Sequence, residues 1–138
     1  MSTVATLFRL SAEDRRLFAR AWLALVVARI ALSLVDIGRL RRWAARSGSG
    51  HRPVKRIVWA VRAAGRRVPG ATCLVSSLAL QRLLSGNGHA SELHIGVARR
   101  DGALAAHAWV VCDGEALDSG GSEDAYARLI AWRSAEPT

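Results

Sequence analysis

Three residues far apart in this sequence, Cys73, His107 and Asp118, have the side-chain types that acyl transfer uses together. A thiolate attacks a carbonyl carbon. An imidazole takes the thiol proton and later returns it to the departing amine. A carboxylate fixes the imidazole tautomer and steadies the imidazolium. Each residue also has an ordinary structural use. Cys73 can be a small buried residue, His107 a core histidine bonded to backbone, and Asp118 a strand-end cap. Local structure decides whether the three meet.

Cys73 sits where a loop enters a helix. Pro69 and Gly70 punctuate the chain and Thr72 is a good N-cap. The run Leu74-Val75-Ser76-Ser77-Leu78-Ala79-Leu80-Gln81-Arg82-Leu83-Leu84 then reads as a helix apolar on most faces, hence buried along most of its length. That places Cys73 in the first turn, where backbone N–H groups are unpaired and the helix dipole favours an anion. The helix ends near Ser85-Gly86-Asn87-Gly88, a double C-terminal stop signal.

Beyond it the pattern changes to period two. Leu93, Ile95 and Val97 alternate with Glu92, His94, Gly96 and Ala98, which predicts a strand. Arg100-Asp101-Gly102-Ala103 predicts a hairpin turn into a second strand, Leu104–Cys112, and Asp113-Gly114 a second hairpin into a short third strand, Glu115–Asp118. A two-residue loop at Asp113-Gly114 pairs Cys112 with Glu115 and Trp109 with Asp118. Asp118 then shares a face with His107 and Trp109, diagonal to His107 at roughly 7–8 Å between backbones. Asp113 lies in the turn, so Asp118 is the better orienting carboxylate. A slip of one residue would turn it to the wrong face. His94 faces Trp109 in this register, and both are candidate substrate-binding residues. His51 falls in a linker and His89 in a loop. Cys112 points away from His107 and no spacing fits a zinc pattern, so neither a metal site nor a cofactor is expected. After Gly120-Gly121 a C-terminal helix is expected from about Glu123 to Trp132.

The elements that must hold these residues begin earlier. Ser11, followed by Glu13 and Asp14, predicts a helix start, with a helix or helical pair running to about Ala45 and candidate breaks at Ser33 and Gly38. Leu17, Trp22, Leu25, Val26, Ile30, Leu34 and Ile37 are candidates for its inward face. Arg46-Ser47-Gly48-Ser49-Gly50-His51-Arg52-Pro53 has the composition of a flexible linker, and Pro53 suits the start of a helix over Val54–Ala64. The expected fold is α+β: an N-terminal helical segment and linker over 1–50, then one compact core over 51–138 in which the Cys73 helix packs on a small antiparallel sheet.

The chain has 138 residues, 51% of them hydrophobic, which suits one domain with a real core and argues against disorder. Its net charge of +9 is uneven. Residues 1–72 hold fifteen Lys/Arg against three Asp/Glu, residues 73–138 five against eight. The basic half invites a nucleic-acid reading, yet no nucleic-acid motif accompanies it; an acidic peptide or protein partner suits the charge equally. Two cysteines without a Cys-x-x-Cys spacing make no disulfide framework. The N-terminus lacks the order of a signal peptide, and the uncharged run Ala21–Ala28 is far short of the roughly 20 residues a membrane span requires. A cytoplasmic protein without stable membrane insertion is expected.

Thr72-Cys73-Leu74-Val75-Ser76-Ser77-Leu78-Ala79-Leu80, Gly88-His89-Ala90, Leu93-His94-Ile95-Gly96-Val97 and Ala106-His107-Ala108-Trp109-Val110 resemble, in order and spacing, the lasso-peptide leader peptidases. These form the protease half of the lasso biosynthesis B proteins, with a transglutaminase-like, papain-related fold. The resemblance covers roughly residues 54–132. It places the nucleophile on Cys73, the histidine on His107 and the aspartate on Asp118, the carboxylate that the hairpin register also selects. The chain departs at Val111, where relatives often carry Glu, which bears on substrate contacts more than on the triad.

The resemblance implies a ribosomally made precursor peptide as substrate, its leader removed before an ATP-using cyclase closes the macrolactam. Nothing before Cys73 reads as a small β-rich leader-binding domain. A stand-alone protease is therefore expected, with a separate leader-recognition protein and the cyclase as partners. The basic helical half is a candidate docking surface. Two other readings stand beside it: a transglutaminase-like acyltransferase using the same triad on an amine acceptor, and a non-enzymatic basic binding module.

Overall fold

A computed structural model of the chain describes residues 11–70, 72–100, 102–117 and 127–133. Ser11 caps the first helix, α1 (Ala12–Leu34), its hydroxyl accepting the Asp14 N–H at 3.1 Å. The chain then breaks at Val35 and Asp36, between the two positions the sequence suggests. Asp36 is extended, and its carboxylate accepts the Arg39 N–H at 2.9 Å, so a new helix, α2 (Ile37–Ala44), starts there. Helix α3 (Val54–Gly65) follows Pro53 and buries Ile57, Ala60, Val61 and Ala64. Helix α4 (Cys73–Gly86) lies in the middle of the molecule, in contact with α1, α2, α3 and the sheet.

The inward face of α1 is not the one expected. Leu17, Ala21, Ala24, Leu25 and Ala28 are buried, whereas Trp22, Ile30, Leu34 and Ile37 are exposed. The helix carries apolar residues on more than one side, so periodicity alone does not choose a face. The tertiary structure chooses the alanine side, which lets α1 lie close against α3 and α4.

The glycine-rich stretch after α2 is not a free linker. Gly48 N–H donates to Ser85 O at 3.3 Å, Gly50 N–H to Gly86 O at 3.0 Å, and Arg52 N–H to the Asn87 side chain at 3.0 Å. A Cβ on Gly48 would strike the Gly86 backbone, and one on Gly50 the Asn87 side chain. The segment is a strap laid along the C-terminal end of α4, and its glycines permit that approach.

Four strands, β1 (Glu92–Arg100), β2 (Ala103–Cys112), β3 (Glu115–Leu117) and β4 (Ala127–Arg133), form an antiparallel sheet in the order β3-β2-β1-β4. Both hairpins take the expected two-residue form. Arg100 pairs with Ala103, and Cys112 with Glu115. Asp113 and Gly114 both have positive φ (53° and 78°), as the tight turn between right-twisted strands demands. The expected C-terminal helix is instead β4. Ala127–Arg133 pairs with β1, with a register shift between Ile95 and Gly96. An open β1 edge offers backbone partners that seven residues of weak helical pattern do not outweigh.

Leu93, Ala108 and Val110 of the sheet join Leu17, Leu25, Leu40, Ile57 and Leu78 of the helices in one buried cluster. The first helix is thus part of the same core as the Cys73 helix.

Candidate active site

Thr72 caps α4 as its type suggests: it is extended, and its hydroxyl accepts the Val75 N–H at 3.3 Å. Cys73 is therefore the first helical residue, and its side chain is exposed. From Val75 to Ser85 most of α4 is buried, so the sulfur sits at the open end of a helix whose body cannot shift. The loop feeding it is equally constrained. Gly70 has φ +76°, and a Cβ there would run into the Arg29 guanidinium of α1. Only glycine suits both conditions.

A cavity of about 190 Å³ opens beside the sulfur, lined by Cys73, Ser76, Ser77 and Leu80 of α4 and by His107, Ala108 and Leu117 of the sheet. Two of the three expected catalytic residues thus meet at one cavity although 34 positions separate them in the chain. The described β2–β3 ladder ends at the pair Val110–Leu117, and His107 lies three residues further along β2. Up to Leu117 the register is the one expected of a two-residue hairpin. Asp118 itself lies outside the described residues.

Trp109 and His94, expected as substrate contacts, are both buried. Trp109 is 5% exposed and stacked on His107, with ring centroids 5.8 Å apart and planes at 20°. His94 is 8% exposed and meets Trp109 edge-on at 5.6 Å. Its Nε2 lies 3.8 Å from the Glu92 carboxylate. Cross-strand pairing of His94 with Trp109 and alternation along β1 and β2 bring the four side chains onto one face. Sequence alternation found the shared face; only packing reveals that Trp109 and His94 are buried on it, outside the lining of the cavity. Val111 pairs directly with Glu92, so a carboxylate stands on that face one strand over.

The remaining candidates serve structure. Cys112 is buried, and its thiol donates to Ala90 O at 3.5 Å. Burial, then the charges of Asp113 and Glu115, push this thiol up from its ordinary pKa. The His89 ring holds Arg52 O at 2.7 Å. His51 lines a larger cavity of about 490 Å³ with Glu13, Asp14, Arg52, Arg56 and Asn87, at the opposite end of α4 from Cys73. It holds an Asp14–Arg56 ion pair that lowers the Asp14 carboxyl pKa, and contains no nucleophile.

The family model for the transglutaminase-like superfamily matches residues 16–131. The match takes in α1, which the sequence motifs alone left outside. No curated protein and no solved structure matches the chain significantly.

Proposed function

The chain belongs to the transglutaminase-like superfamily, and within it we propose a cysteine peptidase that removes the leader of a ribosomally made lasso-peptide precursor. The observation that carries this reading is the shared cavity of Cys73 and His107, with the sulfur at a helix N-terminus. The motif resemblance around Cys73, His94 and His107 supports the substrate class.

In this mechanism His107 takes the Cys73 proton. The thiolate bonds to the scissile carbonyl carbon, whose π electrons move onto oxygen. The backbone N–H of Cys73, free of an intrahelical partner at this position, donates to that oxyanion. Collapse breaks the C–N bond, and the amine leaves with the proton from His107. Water, deprotonated by His107, then cleaves the thioester and restores the thiol. Asp118 orients the imidazole. Trp109 stacks on the ring and restrains its plane. A separate leader-recognition protein delivers the precursor, and the ATP-using cyclase takes the product.

Mass spectrometry of a precursor from the same gene neighbourhood, incubated with this protein and its recognition partner, tests the proposal. Wild type should release leader and core as two peptides whose masses sum to precursor plus one water. C73A should leave the precursor whole while keeping the far-ultraviolet spectrum. Intact precursor with active partners, or cleavage by C73A, refutes the peptidase. An amide formed with an added amine, in place of hydrolysis, assigns the site to acyl transfer instead.

A further inference from the structure

Helix α1 presents two apolar faces, and the core uses only one. Away from Leu17, Ala21, Ala24 and Ala28 runs a second line: Arg16, Arg20, Leu23, Val27, Ile30 and Leu34, spaced four and three residues apart in turn. Leu23 is 57% exposed, Ile30 54% and Leu34 76%. Trp22, Leu32, Val35 and Ile37 are exposed as well, on other sides of the helix and at its junction with α2. Arg16 and Arg20 are exposed at one end, and Arg39 and Arg42 at the other.

From this arrangement we infer that the face lies on an anionic lipid surface, the aliphatic side chains entering the acyl boundary and the guanidiniums meeting phosphates. Such a peripheral helix needs apolar area together with basic flanks. A second copy of the chain fits less well. It would bring an arginine-rich end against another such end or against aliphatics. Two of the three nearby acids are already engaged, Asp14 by Arg56 and Asp36 by the α2 N-terminus, which leaves Glu13 against the arginines. A protein partner fits less well too, because Ser33 and Arg29 are the polar side chains between Trp22 and Val35, leaving little to hydrogen-bond. The alanine face of α1 stays in the core, so the helix lies on the bilayer and does not cross it, although its length and composition would permit a span.

The inference is independent of the peptidase reading, and its test involves no cleavage. The full chain is sedimented with vesicles of equal parts phosphatidylglycerol and phosphatidylcholine, and with pure phosphatidylcholine vesicles. Binding to the anionic vesicles should be about tenfold tighter or more, and should weaken with salt. L23Q/I30Q and R16E/R20E should each weaken it by about tenfold or more, with circular dichroism unchanged because all four positions are exposed. Absence of vesicle binding, or binding unaltered in both variants, overturns the inference. So does self-association, or capture of the purified leader-recognition protein, that the L23Q/I30Q change abolishes while vesicle binding persists.

Discussion

Two cysteines in one chain differ in what surrounds them, and that difference is measurable. Cys73 is exposed at the start of α4, while Cys112 is buried with its thiol on a backbone carbonyl. Raising a thiol pKa reduces the thiolate present at a given pH, so Cys112 reacts only as the solution becomes more alkaline. Iodoacetamide followed by peptide mapping should label Cys73 first near neutral pH, and the order should persist until Cys112 begins to ionise. Trp109 makes a second residue-scale case. Its stack on His107 restrains the ring plane. W109L should lower kcat about 3- to 30-fold with KM little changed. A rise in KM with kcat unchanged would place Trp109 at the substrate instead.

Among the elements, α4 is held at both ends by segments that look unstructured in sequence. The strap over Gly48 and Gly50 bonds to its C-terminal turn, and the Gly70 loop against Arg29 leads into its N-terminus. G50A places a methyl group on the Asn87 side chain, which itself caps α4 through Leu83 O at 2.8 Å. It should cost about 1–3 kcal/mol in urea unfolding, as overpacking does. A flexible linker would tolerate the change at no cost. The composition Ser-Gly-Ser-Gly suits both roles, because the property that frees a chain in solution also lets it approach another backbone. The C-terminal strand departs from the expected helix for a related reason. Ala127–Arg133 carries no strict alternation, and its pairing with β1 is non-local.

Across the whole molecule, one core joins α1 to the sheet, and α1 reaches the loop before Cys73 through Arg29. Stability of the part that carries the Cys73–His107 cavity therefore depends on a helix that lines none of it. Leu25 is fully buried in that core. L25A should lower unfolding free energy by about 2–5 kcal/mol and shift one cooperative transition, without a separate early phase for the N-terminal segment. Two resolved transitions would show that α1 unfolds by itself.

Sequence alone determined the local features: the Thr72 cap, the two tight hairpins, the alternation that sets His94, His107 and Trp109 on one face, and the end of α4. Each depends on residues a few positions apart, whose backbone preferences and hydrogen bonds are written in their types. Tertiary structure decided what depends on distant neighbours. It chose the alanine face of α1, laid the glycine strap on α4, paired β4 with β1, and buried Trp109 against His107. It also brought Cys73 and His107 to one cavity. A helix with apolar residues on more than one side has no single intrinsic inside, and a glycine has no intrinsic partner, so only packing against the rest of the chain could settle them.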